Sequence, residues 1–279
     1  MSGRKSILCP NCRKLISLDE PTCPYCGLVR PGLHNTAGNI RKIFLGSNPV
    51  MTIIYINIAL YIFSLLLDPQ GIFGQGVFGL LAPSVQSLFL LGASGTYSVI
   101  GEHRYWTLIS ASFLHGGILH ILFNMMAFYQ LGPFILREFG FHRFINLYII
   151  AGACGFAVSV LFGTQFTLGA SASICGLIGA ILYYGKSRGD SYGEAIYKQA
   201  IGWVIGLVIF GLIFRGIDNW AHGGGLLSGM LLAFLMGYND SKQESAWCKI
   251  LAYTCILLTA AVLIWSVANA LLSFGNLPI

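Results

Sequence analysis

The amino-acid sequence predicts an all-α polytopic membrane protein with seven spanning helices, preceded by a small cysteine-rich knuckle domain. Composition, the recurrence of apolar runs and the placement of lysine and arginine lead to this prediction. Hydrophobic residues make up 56% of the chain, charged residues only 9%, and the mean hydropathy is +0.73. An ordinary soluble domain has about 25% charged residues. The composition therefore excludes a soluble globular protein.

Each predicted helix is an apolar run close to the ~20 residues that cross a bilayer core of ~30 Å. Between the first and second runs, residues 75–100 are apolar but interrupted by Pro83 and several glycines. This pattern predicts a loop lying partly in the membrane interface, because proline and glycine disfavour a continuous spanning helix. The seven runs lie at residues 49–67, 115–135, 144–163, 171–185, 199–214, 221–238 and 250–272.

The lysines and arginines predict the orientation in the membrane. With seven spans, fourteen of the sixteen basic residues fall on the N-terminal side, and only Arg104 and Arg215 fall on the other. By the positive-inside rule, the N-terminus is in the cytosol and the C-terminus is outside. The net charge of +6 therefore reflects topology, and no nucleic-acid partner is expected. The first 42 residues hold no apolar signal-peptide core, so we expect the first span to direct insertion.

Polar residues recur at the outer ends of the even-numbered spans. His115, His120 and Asn124 begin span two, Ser171 begins span four, and His222 begins span six. Polar groups are costly in lipid unless they face a protein interior or water, so their convergence favours a functional site. Each residue also has a structural interpretation, since serine packs helices together and histidine bonds to neighbouring carbonyls.

Ser171 is expected below the outer membrane surface. The stretch from Ser171 to Gly185 has fifteen residues, about 22 Å of helix, which places the serine about 8 Å below the outer boundary. Chemistry there would need a water-filled cavity that opens outward. His120 and Asn124 are four residues apart and share one helix face, whereas His115 would point about 140° away, above or beside the site.

Three sequence blocks, in order and on the expected spans, resemble the rhomboid family of intramembrane serine proteases. The resemblance covers about residues 45–238, a six-helix core, and leaves out the N-terminal module and the seventh span. The blocks are the His-and-Asn segment Phe113 to Met125, the segment Gly169-Ala170-Ser171-Ala172-Ser173-Ile174-Cys175-Gly176-Leu177, and Asp218-Asn219-Trp220-Ala221-His222 followed by Gly225 and Gly229.

The resemblance implies a serine endopeptidase with a two-residue catalytic dyad. Ser171 would be the nucleophile and His222 the general base, with no orienting carboxylate required. His120, Asn124 and the backbone amide of Ser171 would bind the oxyanion. No cofactor is expected for catalysis.

Four further residues are expected to support this site. Gly225 and Gly229 are four residues apart on span six, and such a small-residue face lets helices approach closely. We expect it to hold span six against span four and bring His222 within reach of Ser171. His115 and Gly169 complete the supporting set.

The resemblance also implies the substrates and the location. Substrates would be membrane proteins cleaved near the outer leaflet, in transmembrane segments with helix-destabilising residues, because an intact helix shields its peptide bonds. They would enter from the bilayer between spans two and five, and residues 214–220 could act as a cap. The expected location is a bacterial cell (inner) membrane, with the site opening to the outer side.

Two positions depart from the family pattern. Where the family often has Trp-Arg in the first external loop, this chain has Trp106-Thr107, although Arg104 is near. Where the family often has Glu at the end of span two, this chain has Leu136, and Glu138 falls on another helix face. We expect these changes to affect loop anchoring and stability more than catalysis.

The N-terminus carries a separate metal-binding pattern. Cys9 and Cys12 form one Cys-x-x-Cys knuckle, and Cys23 and Cys26 form a second, with ten residues between them. This spacing is typical of a four-thiolate structural zinc site, with a lone iron ion as the alternative. Disulfides are disfavoured because the segment is expected in the reducing cytosol. A closed site favours a docking or regulatory role, with a cytosolic protein as partner.

The chain is thus expected to have four parts: a zinc-ribbon-like module at 1–30, a linker at 31–45, a six-helix rhomboid-like protease core at 46–240, and a cytosolic loop with an extra transmembrane helix at 241–279. Two other functions stay open. The first is a catalytically inactive rhomboid-like protein that binds or chaperones membrane clients. The second is a transporter with a histidine proton relay, against which no acidic residue lies in a confidently assigned span.

Overall fold

The computed structural model describes residues 6–9, 11–29, 31, 48–69, 81–214, 216–240 and 244–274. The chain divides into two compact units, Met1–Thr52 and Ile53–Ile279, and each is described by itself. Of the expected linker 31–45, only Pro31 is among the described residues. Residues 75–80 of the expected interfacial loop also lie outside the described part of the chain.

The N-terminal unit contains a two-stranded antiparallel hairpin, β1 (Ser6–Leu8) and β2 (Leu15–Ser17), with Leu8 opposite Leu15. Its buried residues are Cys9, Ile16 and Cys23. A core of this size cannot stabilise a fold on its own, and domains below about 40 residues usually need a metal or disulfides. The cysteines of this unit are all free thiols.

Seven long helices follow in the described residues, one on each predicted run. Helix α3 (Phe141–Leu161) begins three residues before its predicted start at 144, and helix α5 (Ser191–Ile213) begins eight residues before 199, because Arg143 and Lys198 lie inside helices. Asp190 caps α5, and its Oδ1 accepts a hydrogen bond from Gly193 N–H at 2.7 Å. The helices are α1 (Pro49–Leu67), α2 (Ile118–Phe139), α3 (Phe141–Leu161), α4 (Ser171–Arg188), α5 (Ser191–Ile213), α6 (Asn219–Met236) and α7 (Ala246–Phe274).

Five of these helices, α1, α2, α3, α5 and α7, are long and apolar enough to cross a membrane by length and composition. The other two, α4 and α6, hold many glycine, serine and alanine residues. Helix α4 lies inside the bundle, whereas α6 leaves Leu227, Leu231 and Phe234 exposed. In α4, every residue from Ala172 to Leu182 is buried. A helix surrounded by other helices does not need lipid-facing side chains, so its composition is free to be less apolar.

Helix α4 is the centre of the bundle and packs most extensively against α6, with α3 against both. Glycines make this packing close. A Cβ added at Gly225 would lie within 3.0 Å of the carbonyl oxygen of Ala172, and one at Gly229 within 3.0 Å of Gly176. By contrast, α5 packs against α4 but buries only Gly193 and Ala200.

The segment from residue 81 to 117 holds only short helical pieces. The first is Val85–Leu90, and Thr107–Ser110 with Ala111–Phe113 forms the last. Arg104 anchors the segment, because its Nη2 donates to the carbonyl of Phe89 at 2.8 Å and its guanidinium lies 4.8 Å from the Trp106 ring. Thr107 also anchors the segment, because its hydroxyl donates to the carbonyl of Arg104 at 2.7 Å.

Glu138 also makes a contact between helices. Its Oε2 accepts a hydrogen bond from the hydroxyl of Tyr184 at 2.9 Å, and its backbone carbonyl accepts from Asn239 N–H at 2.8 Å. The first bond joins α2 to α4 at the end of the bundle away from Ser171. Glu138 thus links α2 to its neighbours although position 136 is leucine.

Candidate active site

The predicted polar residues of three helices line one cavity of about 1190 Å³. Ser171 comes from α4, His222 from α6, and His120 and Asn124 from α2. Apolar side chains complete most of the wall, among them Phe166 and Leu168. The cavity thus brings together four of the five side chains that the sequence placed at the outer ends of even-numbered spans.

Ser171 is the first residue of α4, and the preceding turn holds it in place. Gly169 has φ +124°, a conformation that favours glycine, and its N–H donates to the carbonyl of Ala111 at 2.9 Å. The first intrahelical bond of α4 runs from Ile174 N–H to the carbonyl of Ala170. The first N–H groups of a helix have no partner within it, so the Ser171 amide is available to a ligand in the cavity.

The tautomer of His120 follows from its contact with Gly116. The N–H of Gly116 donates to Nδ1 of His120 at 3.3 Å, so the proton of a neutral ring lies on Nε2. A Cβ added at Gly169 would lie 2.6 Å from this Nε2 and 3.7 Å from Oγ of Ser171. The Nε2–H donor and the serine hydroxyl therefore both lie close to the same glycine.

Asn124 lies one turn further along α2 and is 7% exposed. Its Nδ2 donates to the carbonyl of His120 at 2.9 Å, which fixes the amide plane. One amide hydrogen remains for a second acceptor. His120 and Asn124 thus present two donors along one helix face.

The expectation that His115 lies on span two is wrong. Helix α2 begins at Ile118, and His115 precedes it in the chain that follows the Ala111–Phe113 turn, so the helical angle of 140° does not apply. Its fully buried ring packs edge-on against His120 with centroids 5.1 Å apart. Neither ring nitrogen has a hydrogen-bond partner among the described residues. His115 therefore backs the His120 ring, outside the cavity lining.

His222 lies in the first turn of α6, which Asp218 caps. Oδ1 of Asp218 accepts the N–H of Ala221 at 3.0 Å, and Oδ2 accepts the hydroxyl of Ser159. Nδ1 of His222 is buried and has no partner among the described residues. The Asp218 carboxylate thus serves the helix cap and the α3 contact, and no hydrogen bond joins it to the imidazole.

Sequence reasoning missed three contributors to this arrangement. Gly116 fixes the His120 ring, Ser159 ties the cap of α6 to α3, and Leu168 forms part of the cavity wall. The cap itself carried a readable signal, since aspartate directly before a predicted helix is a preferred N-cap residue. The role of Gly116 carried none, because it depends on the conformation of the turn before α2, which no periodic pattern marks.

The four N-terminal cysteines form a second candidate site. Their sulfur atoms all lie within 4.8 Å of one another, with Cys9 to Cys26 at 3.6 Å and Cys12 to Cys23 at 3.7 Å. A tetrahedral ion with Zn–S bonds of about 2.3 Å sets its sulfurs about 3.8 Å apart. The N–H of Leu28 lowers the pKa of the Cys26 thiol to about 6, which favours a thiolate ligand. The cluster can hold a metal ion.

The fold and the cavity define an integral membrane protein whose polar site is enclosed by its own helices. Residues 102–239 match the family model described as Rhomboid domain. The chain therefore carries a rhomboid domain at these residues. The predicted fold class is confirmed, including the N-terminal cysteine cluster and the helix beyond the six-helix core.

Similar proteins come from a bacterium and a plant. The chain is 30% identical over 220 residues to "Rhomboid protease GluP" of Bacillus subtilis (strain 168). The aligned region covers 79% of this chain and 41% of that protein. The chain is 35% identical over 159 residues to "RHOMBOID-like protein 4" of Arabidopsis thaliana, covering 56% and 40%. For "RHOMBOID-like protein 7" the identity is 32% over 161 residues, covering 56% and 51%. The matches thus span about half or less of these relatives.

Proposed function

We propose that this protein is an intramembrane serine endopeptidase that cleaves transmembrane segments of membrane proteins near the outer leaflet. The observation that carries the proposal is the placement of Ser171 and His222 in one cavity with Nε2 of His120 beside the serine hydroxyl. A nucleophile, a base and an oxyanion donor are what acyl transfer requires. One relative with the same family domain carries the printed name of a protease.

The proposed reaction has two steps. Oγ of Ser171 attacks the carbonyl carbon of the scissile peptide bond while His222 takes the hydroxyl proton. His222 then gives that proton to the leaving amine, which departs and leaves an acyl-enzyme ester. A water molecule loses a proton to His222, attacks the ester and releases the new carboxyl end, and the proton returns to Oγ.

The negative charge on the tetrahedral oxygen would be met by three donors. These are the Ser171 backbone N–H, the Nε2–H of His120 and the second amide hydrogen of Asn124. The first is favoured by the positive end of the α4 dipole. Donors in a low-dielectric site act more strongly than in water, so this set would supply a large share of the rate.

Substrate access would be lateral, between α2 and α5. Both helices line the cavity, α2 through Phe123 and α5 through Leu207 and Phe210. The outer half of α5 buries no residue, so few contacts oppose its outward movement. Residues of the 214–220 segment, including Ile217, also line the cavity and would act as a cap.

The N-terminal module would hold a structural zinc ion through Cys9, Cys12, Cys23 and Cys26. Its ion would supply the fold that the small apolar core cannot. Four protein ligands leave no open position, so the module would dock a cytosolic partner or regulate the core. This proposal also includes the cytosolic location of the module, a site that opens to the outer side and the inner membrane of a bacterium. It keeps the division of the chain into four parts at 1–30, 31–45, 46–240 and 241–279.

A fluorophosphonate probe in detergent tests the enzyme function. The unmodified chain should take one label, and Ser171→Ala and His222→Ala should take none. Ser173→Ala is the matched control, because Ser173 is fully buried and its hydroxyl faces Ser112. Incubation with a transmembrane substrate that carries glycine or proline near its outer end should give two fragments.

If the folded, unmodified chain takes no label and cuts no such substrate, the enzyme proposal is wrong. A catalytically inactive membrane-protein binder would then be the better interpretation. That alternative predicts that the chain retains a membrane client in detergent with equal affinity whether or not Ser171 is changed to alanine.

A further inference from the structure

We propose that α7 is a positioning element for the catalytic cavity, acting through Ser266 and Asn269. The inference rests on the proposed function for its kinetic readouts, but its structural readout is independent of activity. Helix α7 begins beyond residue 239, where the family match ends. Its role therefore does not come from the shared domain.

Two polar side chains of α7 bond to the same turn of the first external loop. Nδ2 of Asn269 donates to the carbonyl of Leu90 at 3.1 Å, and the hydroxyl of Ser266 donates to the carbonyl of Leu91. The last carbonyls of a helix have no partner within it, and these two end the short helix Val85–Leu90. Arg104 donates to the same Leu90 carbonyl from the other side at 3.3 Å.

The position of these residues on α7 is unusual for a helix facing lipid. Only 22% of the residues in the apolar stretch of α7 are buried, yet Ser266 is 1% exposed and Ala270 is fully buried. Polar groups at membrane depth are retained where they bond to a partner. Helix α7 packs most extensively along α3, and Ser266 and Asn269 mark a second point at which it binds the bundle, at the Val85–Leu90 turn.

An apolar cluster surrounds the two hydrogen bonds and extends toward the cavity. Ala270 packs with the buried Leu88 and Leu91, and the cluster includes Leu114, which directly precedes His115. Leu168 is packed against the same cluster and directly precedes Gly169. The contact of α7 with the loop is thus continuous with both segments that lead into the site.

The loop is also bonded to the segment that carries Ser171. Ser94 and Thr167 exchange two backbone hydrogen bonds, of 2.9 and 2.8 Å, and Thr96 N–H donates to the carbonyl of Thr164 at 2.8 Å. Thr167 is only four residues before Ser171. A loop that is held by α7 at residues 90 and 91 therefore holds the turn before the nucleophile.

Leu168 completes the path to His120. Its Cδ1 would lie 3.9 Å from a Cβ at Gly116, whose N–H bonds to Nδ1 of His120. Because packed elements shift as units, loosening the loop should displace both the serine turn and the oxyanion donor. Ser266 and Asn269 would act through these groups and not on the substrate.

The test uses two variants with similar shape and different hydrogen-bonding capacity. Ser266→Val removes the hydroxyl, and Ser266→Thr keeps it on a side chain of the same volume as valine. The double variant Ser266→Val with Asn269→Ala removes both bonds. Thr254→Ala is the control, because Thr254 is an exposed polar residue of the same helix.

In the double variant, both the rate of labelling by the fluorophosphonate probe and the rate of substrate cleavage should fall at least about fivefold, because two hydrogen bonds are lost. The loss should fall on kcat, with KM changed less than twofold, because the substrate itself is not contacted. Ser266→Thr should restore the rate, and Thr254→Ala should match the unmodified chain.

Amide hydrogen exchange in the full chain gives the readout that does not depend on activity. Exchange should rise at residues 88–96 and 164–169 in the double variant and in Ser266→Val, and stay unchanged in Ser266→Thr. If exchange there is unchanged in folded variants, or if labelling of the double variant matches that of the unmodified chain, the proposal is overturned. If the unmodified chain takes no label, the enzyme proposal fails. The exchange pattern alone then decides whether α7 positions the loop and the turn before Ser171.

Discussion

Gly116 N–H and His120 Nδ1 are joined by a hydrogen bond of 3.3 Å, and this bond decides which ring nitrogen faces the serine. With Nδ1 occupied as an acceptor, Nε2 carries the proton of the neutral ring. Nε2 lies next to Gly169, so the donor points toward the place where negative charge would develop. The geometry of one turn before α2 therefore sets the electrostatics of the proposed oxyanion site.

The first prediction concerns this donor. His120→Ala should lower the rate of peptide cleavage about 10²- to 10³-fold, because one oxyanion donor is lost. His103→Asn is the control, since His103 is exposed and asparagine tolerates its positive φ of 54°. Single-turnover cleavage in detergent measures the difference. A loss of less than threefold in folded His120→Ala would exclude His120 as a donor.

Gly169→Ala should inactivate the protein more than its backbone strain explains. Its φ of +124° disfavours alanine, and the new Cβ would lie 2.6 Å from Nε2 of His120. Gly163→Ala is matched, because Gly163 also has positive φ, +85°, but nothing lies within 4 Å of the added atom. We expect labelling at Ser171 to fall at least about 10²-fold for the first variant only. Equal labelling of both would contradict the placement of His120.

Gly225→Ala should weaken the contact between α6 and α4. The added methyl group would lie within 3.0 Å of the Ala172 carbonyl oxygen, and a backbone atom cannot move aside easily. We expect a loss of about 1–3 kcal/mol in the free energy of unfolding. Gly223→Ala, with open space around it, should be neutral or gain up to about 1 kcal/mol. Thermal unfolding in detergent compares the two, and a smaller loss for Gly225→Ala than for Gly223→Ala would refute the packing.

Asp218→Ala should destabilise the first turn of α6 by about 1 kcal/mol, because the N–H of Ala221 loses its acceptor. Asp218→Asn keeps a good cap and should lower the free energy of unfolding by only about a few tenths of 1 kcal/mol. The two variants separate the capping role from the charge. Stability near that of the unmodified chain in both would mean that the cap contributes nothing measurable.

The cysteine cluster makes a prediction about metal content. The purified chain should contain one zinc ion, and Cys26→Ser should contain less than about a tenth of this, because three thiolates cannot close a tetrahedral site. Cys154→Ser is the control, since Cys154 lies in α3 far along the chain from the cluster. Elemental analysis by mass spectrometry decides it. If the chain contains one iron ion in place of zinc, the predicted metal is wrong but the four-cysteine site stands.

The sequence alone was sufficient to predict the seven long helices and the four polar side chains that line the cavity. Apolar runs predict helices well in a membrane, because backbone groups there must bond within the segment. The ends were less predictable: the starts at Phe141 and Ser191 precede charged residues that a hydropathy scan treats as loop. His115 was misplaced because periodicity assumes a helix that begins only at Ile118.

The contacts between residues far apart in the chain could not be predicted from the sequence. The bond from Asn269 to Leu90 joins residues 179 positions apart, and neither residue type signals it. Arg104 was noted only as near a missing arginine, yet it bonds to Phe89 and lies against Trp106. Such contacts depend on which helices become neighbours, and composition alone does not determine that.

The burial of α4 has a consequence for biogenesis. Every residue from Ala172 to Leu182 is covered by other helices, so this helix reaches its final environment only when its neighbours are in place. We expect it to wait at the insertion channel until an apolar neighbour, α3 or α5, can shield it. The assembly order of the nascent chain would then guard against premature exposure of Ser171 to the bilayer.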